Sequence, residues 1–185
     1  MKNEQVYESL KKYAAMLAAD GYIECGYIAD KADDGLYITT PDANFADLGE
    51  EQVAFVTDKS VEELEGNFRA AAVLLICALK SKQDAGAAAI VDSKSILEFS
   101  AKRATLPPIL EDMAQINGVS VRAAKQNTAA EVVNALSGAR NSCFLPEAGA
   151  VVTGRTLAEV YTCALVLDKP ANGYLLAETK GGAQH

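Results

Sequence analysis

Histidine is nearly absent from this chain of 185 residues: one occurs, His185, at the last position. A Ser-His-Asp or Cys-His constellation needs a positioned imidazole, and a terminal residue on a glycine-bearing tail does not supply one. A zinc site built from several histidines of one chain is excluded outright. Tryptophan is missing and aromatic residues make up 6% of the chain, so the core is expected to rest on Ala, Val, Leu and Ile. Neither GxxxxGK[ST] nor GxGxxG occurs, which removes the common phosphate-cradling loops. Basic tracts are also lacking. With 17 Lys and Arg against 25 Asp and Glu, the formal charge is −8, and nucleic acid is excluded as a partner on average electrostatics. The longest apolar run, residues 70–79, is too short to cross a bilayer, so no membrane partner is expected. The four cysteines, Cys25, Cys77, Cys143 and Cys163, form no CxxC pair and sit among apolar neighbours. They predict four buried, reduced thiols. The opening MKNEQVYESLKKY is charged and amphipathic, unlike a signal peptide, and the reading that follows is a cytoplasmic protein.

What is present is the composition of a folded domain. Half the residues are hydrophobic and 23% are charged, and the length suits one domain over 1–185, with 181–185 as a loose tail. Val6, Leu10, Tyr13 and Leu17 recur at helical spacing up to the stop at Gly21. Residues 21–30 and 36–40 read as strands joined by a hairpin at Asp34-Gly35, where glycine would accept the positive φ of a tight turn. QVAFVTD is a third strand. Ser60 and Glu63 resemble a capping box, and 61–83 is expected to be helical, with Gly66-Asn67 as its weak point and its second half buried. GAAAIVD is a short buried strand and SILEFSAKR a helix. LPPILEDMAQING is a helix that Pro107-Pro108 opens and Gly118 closes. Then come a strand at VSVRAA, a capped helix at NTAAEVVNALSG, strands at SCFLP and AVVTG, and a long helix that Pro170 kinks or divides. Early strands come in hairpin order, later ones alternate with helices. This predicts a three-layer α/β/α domain around a mixed, largely antiparallel sheet.

With imidazole gone, carboxylates remain as candidate site residues. Asp92 ends an apolar strand and is followed by Ser93 and Lys94; Glu147 sits between Pro146 and Ala148 at another strand end. Strand ends are where sheet proteins commonly place chemistry. The plainer alternative is that both are solvated loop carboxylates, with Asp92 capping the next helix.

Several segments taken in order resemble the class II aldolase/adducin family, from about Tyr13 to Gly182. DDGLYITTPDANFADLGEEQVAFV is similar to the family's strand, I-T-P-S-G loop and following L-x-x-E-D segment. DAGAAAIVDSKS resembles the strand that carries its H-x-H pair. LPPILEDMAQI and CFLPEAGAVVTGRTLAEVYTCALVL match its L-P-P and N-H-G segments. The resemblance implies a divalent metal, usually zinc, held by three histidines, with a glutamate completing the proton chemistry. In this chain those positions are changed. Counted back from LPP, the H-x-H pair falls on Ile90 and Asp92; matched locally, it falls on Asp92 and Lys94. The third histidine reads Ala148. The glutamate position falls near Ala71, with Glu65 out of register. The phosphate-gripping loops read Gly26-Tyr27-Ile28-Ala29 and Pro41-Asp42-Ala43, and the Ser-Ser pair reads Arg69-Ala70.

Two readings follow. In the first the chain is a pseudo-aldolase with no metal cofactor, acting as an oligomeric binding or assembly module; a homo-oligomer, tetrameric by the resemblance, is expected, with a small-molecule ligand as a further partner. In the second a diverged lyase acts on a small sugar-like carbonyl substrate through a rebuilt pocket of Asp92, Lys94, Glu147 and Arg69.

Overall fold

The computed structural model describes residues 3–181; Met1, Lys2 and residues 182–185, among them His185 and all but Gly181 of the expected tail, lie outside the described residues. Seven strands, β1 (Tyr27–Lys31), β2 (Leu36–Thr39), β3 (Val53–Val56), β4 (Ala87–Val91), β5 (Arg122–Ala123), β6 (Ser142–Leu145) and β7 (Gly149–Gly154), form one sheet in the order β3-β2-β1-β4-β7-β6-β5. Every neighbouring pair is antiparallel except β5 with β6, so the sheet is mixed and largely antiparallel. The helices are α1 (Glu4–Ala19), α2 (Gly66–Lys80), α3 (Lys94–Ala101), α4 (Glu111–Ile116), α5 (Ala129–Ala135) and α6 (Leu157–Thr179). Helices α1, α3 and α6 pack on one face of the sheet, with α4 against α6; α2 and α5 cover the other.

β4 lies at the centre, and all five of its residues are buried. Its side chains alternate between the two layers, as a strand's period of two requires. Ala87, Ala89 and Val91 join the core under α1, α3 and α6, while Ala88 and Ile90 join the core under α2. The alanines leave room for helices to approach closely. The first core is less aliphatic than composition suggests. Phe99 and Phe144 are fully buried with ring centres 4.7 Å apart, and Tyr174 meets Phe99 edge-on at 5.4 Å.

Several local expectations are corrected. β1 begins at Tyr27, not at Gly21: Gly21 (φ +73°) and the Tyr22 N–H, which donates to Leu17 O, complete the end of α1, and residues 22–26 form a loop. Gly35 does turn the β1–β2 hairpin, but with ordinary φ; a Cβ there would lie 2.6 Å from Val56 O, so glycine is required by the closeness of β3. Ser60 exchanges hydrogen bonds with Thr57 in a 3₁₀ turn (Ser60–Glu63), and α2 starts afresh at Gly66, whose φ is +56°. Pro107-Pro108 open no helix. Leu106 bridges to Val121, residues 107–110 are neither helix nor strand, and α4 starts only at Glu111. α6 runs unbroken through the buried Pro170. The thiols also differ from expectation: Cys143 and Cys163 are buried, Cys77 is half-buried and Cys25 is exposed. Burial pushes the Cys143 and Cys163 thiols up to about 12, so neither is a thiolate at neutral pH.

Asp30 on β1 is half-buried, and desolvation raises its carboxyl above the usual carboxylate range. The folded state then takes up this proton before the unfolded chain does. The penalty of holding the charge is present above the raised value and vanishes below the ordinary one. Asp30→Asn is expected to stabilise the protein near neutral pH by under about 1 kcal/mol, since water screens the exposed part of the carboxyl. Urea unfolding at neutral and at strongly acid pH checks this: the difference from the parent protein should disappear in acid.

Candidate functional site

The end of the sheet where β4 runs out collects most of the positions singled out from the sequence. Register puts Tyr27 of β1 opposite Ile90 and Ala150 of β7 opposite Val91. Asp92 therefore lies between the loop leading into β1 and the β6–β7 turn at residues 146–148. The flanking chains approach β4 so closely that only glycine fits. A Cβ on Gly26 would sit 1.8 Å from Ile90 O, and one on Gly149 2.2 Å from Val91 O. Gly149 also has φ +109°, a conformation that side chains disfavour. The N-terminal turn of α2 reaches the same end, since Phe68 stacks on Tyr27 with ring centres 6.0 Å apart.

Each candidate side chain has its own surroundings. Asp92 accepts two backbone hydrogen bonds, from Glu24 N–H (2.7 Å to Oδ1) and Cys25 N–H (2.8 Å to Oδ2), and its own N–H donates to Tyr22 O (3.0 Å). It thus fastens the loop before β1 to the end of β4. It does not cap α3; Ser93 does, accepting from Ile96 N–H. Lys94 is the exposed first residue of α3, and Glu147 is exposed in the turn with φ +61°. Arg69 is exposed and paired with Glu62. Ile90 packs in the core under α2, Ala71 is buried there too, and Ala148 is exposed. In the Pro41-Asp42-Ala43 turn the Asp42 carboxylate accepts from the Thr40 hydroxyl at 2.6 Å. Asp92, Lys94, Glu147 and Arg69 share one end of the sheet, yet among the described residues no hydrogen bond or ion pair joins any two of them.

Sequence reading missed a second polar group at this end. Ser93 Oγ donates to Asp168 Oδ1 of α6 at 2.5 Å, and the Tyr161 hydroxyl of α6 donates to Asp20. Asp20 holds the Tyr161 phenol in its neutral form, up to about 12. Tyr22 packs beside it at 6.2 Å and is raised by burial, then by Asp168 and Asp20. The signal was there: Tyr161 and Asp168 are seven apart, on one face of a helix.

The family's metal can be tested against these side chains. Ile90 and Ala148 carry no donor atom, Lys94 is a cation, and Asp92, each of whose oxygens already accepts a backbone amide, is the one carboxylate among these positions. A divalent ion needs several ligands at fixed geometry, so this donor set does not fit one. Among the described residues no three His, Cys, Asp or Glu side chains gather as a metal site.

Comparison with known proteins matches this arrangement of strands and helices. The profile of the Class II Aldolase and Adducin N-terminal domain matches residues 5–175. Solved structures with similar folds include the L-fuculose-1-phosphate aldolase from Thermus thermophilus, at TM-score 0.78 and 21% identity over 99% of both chains. Another L-fuculose 1-phosphate aldolase has TM-score 0.79 and 19% identity, over 98% of this chain and 90% of its own. The sugar-phosphate aldolase from Thermotoga maritima has TM-score 0.73 and 16% identity, over 96% of this chain and 97% of its own. No curated protein matches the chain. A profile match over nearly its whole length carries the conclusion: this chain belongs to the class II aldolase and adducin N-terminal domain family.

Proposed function

We propose that this chain is a pseudo-aldolase, which keeps the family's framework without its metal-dependent reaction and acts as an oligomeric binding or assembly module. The observation that carries this reading is the hydrogen bonding of Asp92. The one carboxylate at the expected ligand positions is engaged by Glu24 N–H and Cys25 N–H, and it ties two segments of backbone together. A side chain committed to the frame is poorly placed to serve as a ligand or a base. The other expected ligand positions carry hydrocarbon or an ammonium group. Aldol chemistry of the kind named for the L-fuculose-1-phosphate aldolases would need an electrophile that these residues do not assemble.

For the assembly part of the reading, exposed apolar side chains give support. Ile109, Leu110 and Val119 are 45%, 39% and 70% exposed. The antiparallel bridge between Leu106 and Val121 brings their segments side by side. The surface this forms suits a second copy of the chain.

Elemental analysis of the protein, expressed with zinc and manganese supplied and then dialysed, tests the first part. The expected content is far below one metal ion per chain, and stoichiometric zinc or manganese would overturn the reading. Light scattering coupled to gel filtration tests the second. A mass that is a multiple of 19.5 kDa is expected, shifting toward the monomer on Val119→Asp; a monomer at all concentrations would contradict it.

A further inference from the structure

A cleft of about 700 Å³ opens at the opposite end of the sheet, where β4 begins and β7 ends. Its walls are the segment 82–85 entering β4, residues 138–141 entering β6, the end of α4, and Arg155 with the first two turns of α6. The length of β4 separates it from Asp92. Its volume falls within the range of small-molecule sites.

The charges on these walls balance. Lys82 and Arg155 are cations, Asp84 and Glu159 are carboxylates, and no other lining residue is charged. Arg155 and Glu159 neutralise each other. The carboxylate accepts from both the backbone N–H and the Nε of Arg155, at 2.8 Å each, and pairs with Nη2 at 2.7 Å. An anion entering the cleft would meet Asp84 and Glu159, and a cation would meet Lys82 and Arg155. Either would give up water without gaining an unopposed countercharge. The walls therefore favour a neutral guest.

What they offer such a guest is unused hydrogen-bonding capacity of both kinds. Asn141 is held from three directions: its N–H donates to Asn117 O (3.0 Å), its carbonyl accepts from the Thr153 N–H (2.8 Å) and hydroxyl (3.0 Å), and its Nδ2 donates to Ile116 O (2.7 Å). This leaves Oδ1, on a side chain already fixed, as an acceptor that no described residue uses. Asp84 makes no hydrogen bond or ion pair among the described residues and acts on Arg155 only through space. Lys82 Nζ donates once, to Gly138 O at 2.8 Å, and keeps two N–H bonds, since an ammonium has three. The side-chain amides of Gln83 and Gln115 have no partner among the described residues.

A guest that satisfies these groups must donate to Asn141 Oδ1 and Asp84 and accept from Lys82, all within a small volume. A hydroxyl does both at once, and neighbouring hydroxyls on a short carbon skeleton do so at the highest density. No aromatic ring lines the cleft, so a planar heterocycle would find nothing to stack on. Ile116, Ala139 and Ala158 provide apolar surface for the carbons.

We propose that this cleft binds a small neutral polyol, whose hydroxyls donate to Asn141 Oδ1 and the Asp84 carboxylate and accept from Lys82 Nζ. The site shares no residue with the Asp92 end, so it stands or falls separately from the pseudo-aldolase reading.

Backbone amide spectra of the full chain, titrated at constant ionic strength with sorbitol, myo-inositol, inorganic phosphate and putrescine in turn, test this. Saturable shifts centred on residues 82–85, 115–116 and 138–141 are expected with at least one of the two polyols, and none with phosphate or putrescine. Asp84→Ala and Lys82→Met should each weaken polyol binding about tenfold, the loss expected when one hydrogen bond to a charged group is removed. Glu8→Ala, on α1, should leave it unchanged. Asp84→Ala removes an exposed side chain that makes no hydrogen bond or ion pair among the described residues, so a loss of binding there does not come from unfolding. Shifts that grow linearly with both polyols, saturation of the same amides by phosphate or putrescine, or binding that survives both Asp84→Ala and Lys82→Met would overturn the proposal.

Discussion

Backbone approaches backbone at the exit of β4 more closely than any side chain would permit, and this constraint shapes the rest of that end of the molecule. Gly26 on one side and Gly149 on the other press against the Ile90 and Val91 carbonyls. Three chain segments converge there, and their amides need partners. Asp92 supplies two acceptors, to Glu24 and Cys25, and takes the Tyr22 carbonyl for its own N–H. Hydrogen bonds to a charged acceptor contribute roughly 1.5–3 kcal/mol where water is excluded, and less at a partly exposed site such as this one. Around that clamp Ser93 joins α3 to Asp168 on α6, and Asp20 joins α1 to Tyr161 on α6. The polar groups of this end therefore hold layers together; they do not converge on open space.

A division between the two ends of the sheet follows. At the Asp92 end the charged side chains are engaged with backbone, paired across neighbouring turns, or solvated one by one. At the opposite end an open cleft holds Lys82, whose ammonium donates to the Gly138 carbonyl, and the Arg155–Glu159 ion pair.

Much of the fold was legible because its signals are local. The uninterrupted apolar run of β4 announced a buried strand, the NTAAEVVNALSG segment announced a capped helix where α5 lies, and Gly118 announced the end of α4. Errors arose where a distant segment decides. The late start of β1 is set by Asp92, about 68 positions away along the chain. Gly35 is required by β3 rather than by its own turn, and the prolines at 107 and 108 directly follow a residue, Leu106, that is bridged to the distant Val121. Cys25 has apolar neighbours in sequence but lies in an exposed loop. For the candidate site, that Ile90 and Ala148 carry no donor atom could be read directly, because donor chemistry resides in residue type. The role of Asp92 could not, because its partners are backbone amides that no side-chain pattern marks. The cleft at the far end was invisible for the same reason: Lys82 and Gly138, which meet on its wall, are 56 positions apart.

The central claim, that the Asp92 carboxylate belongs to the frame, is tested most directly by following the amide protons of Glu24 and Cys25 by NMR. The account predicts that both titrate in step with the Asp92 carboxyl, and that both move upfield in Asp92→Ala while other amides of β1 and β4 shift little. Amides of Glu24 and Cys25 that ignore the protonation of Asp92, with an Asp92 carboxyl resonance that moves instead on adding zinc, would contradict it.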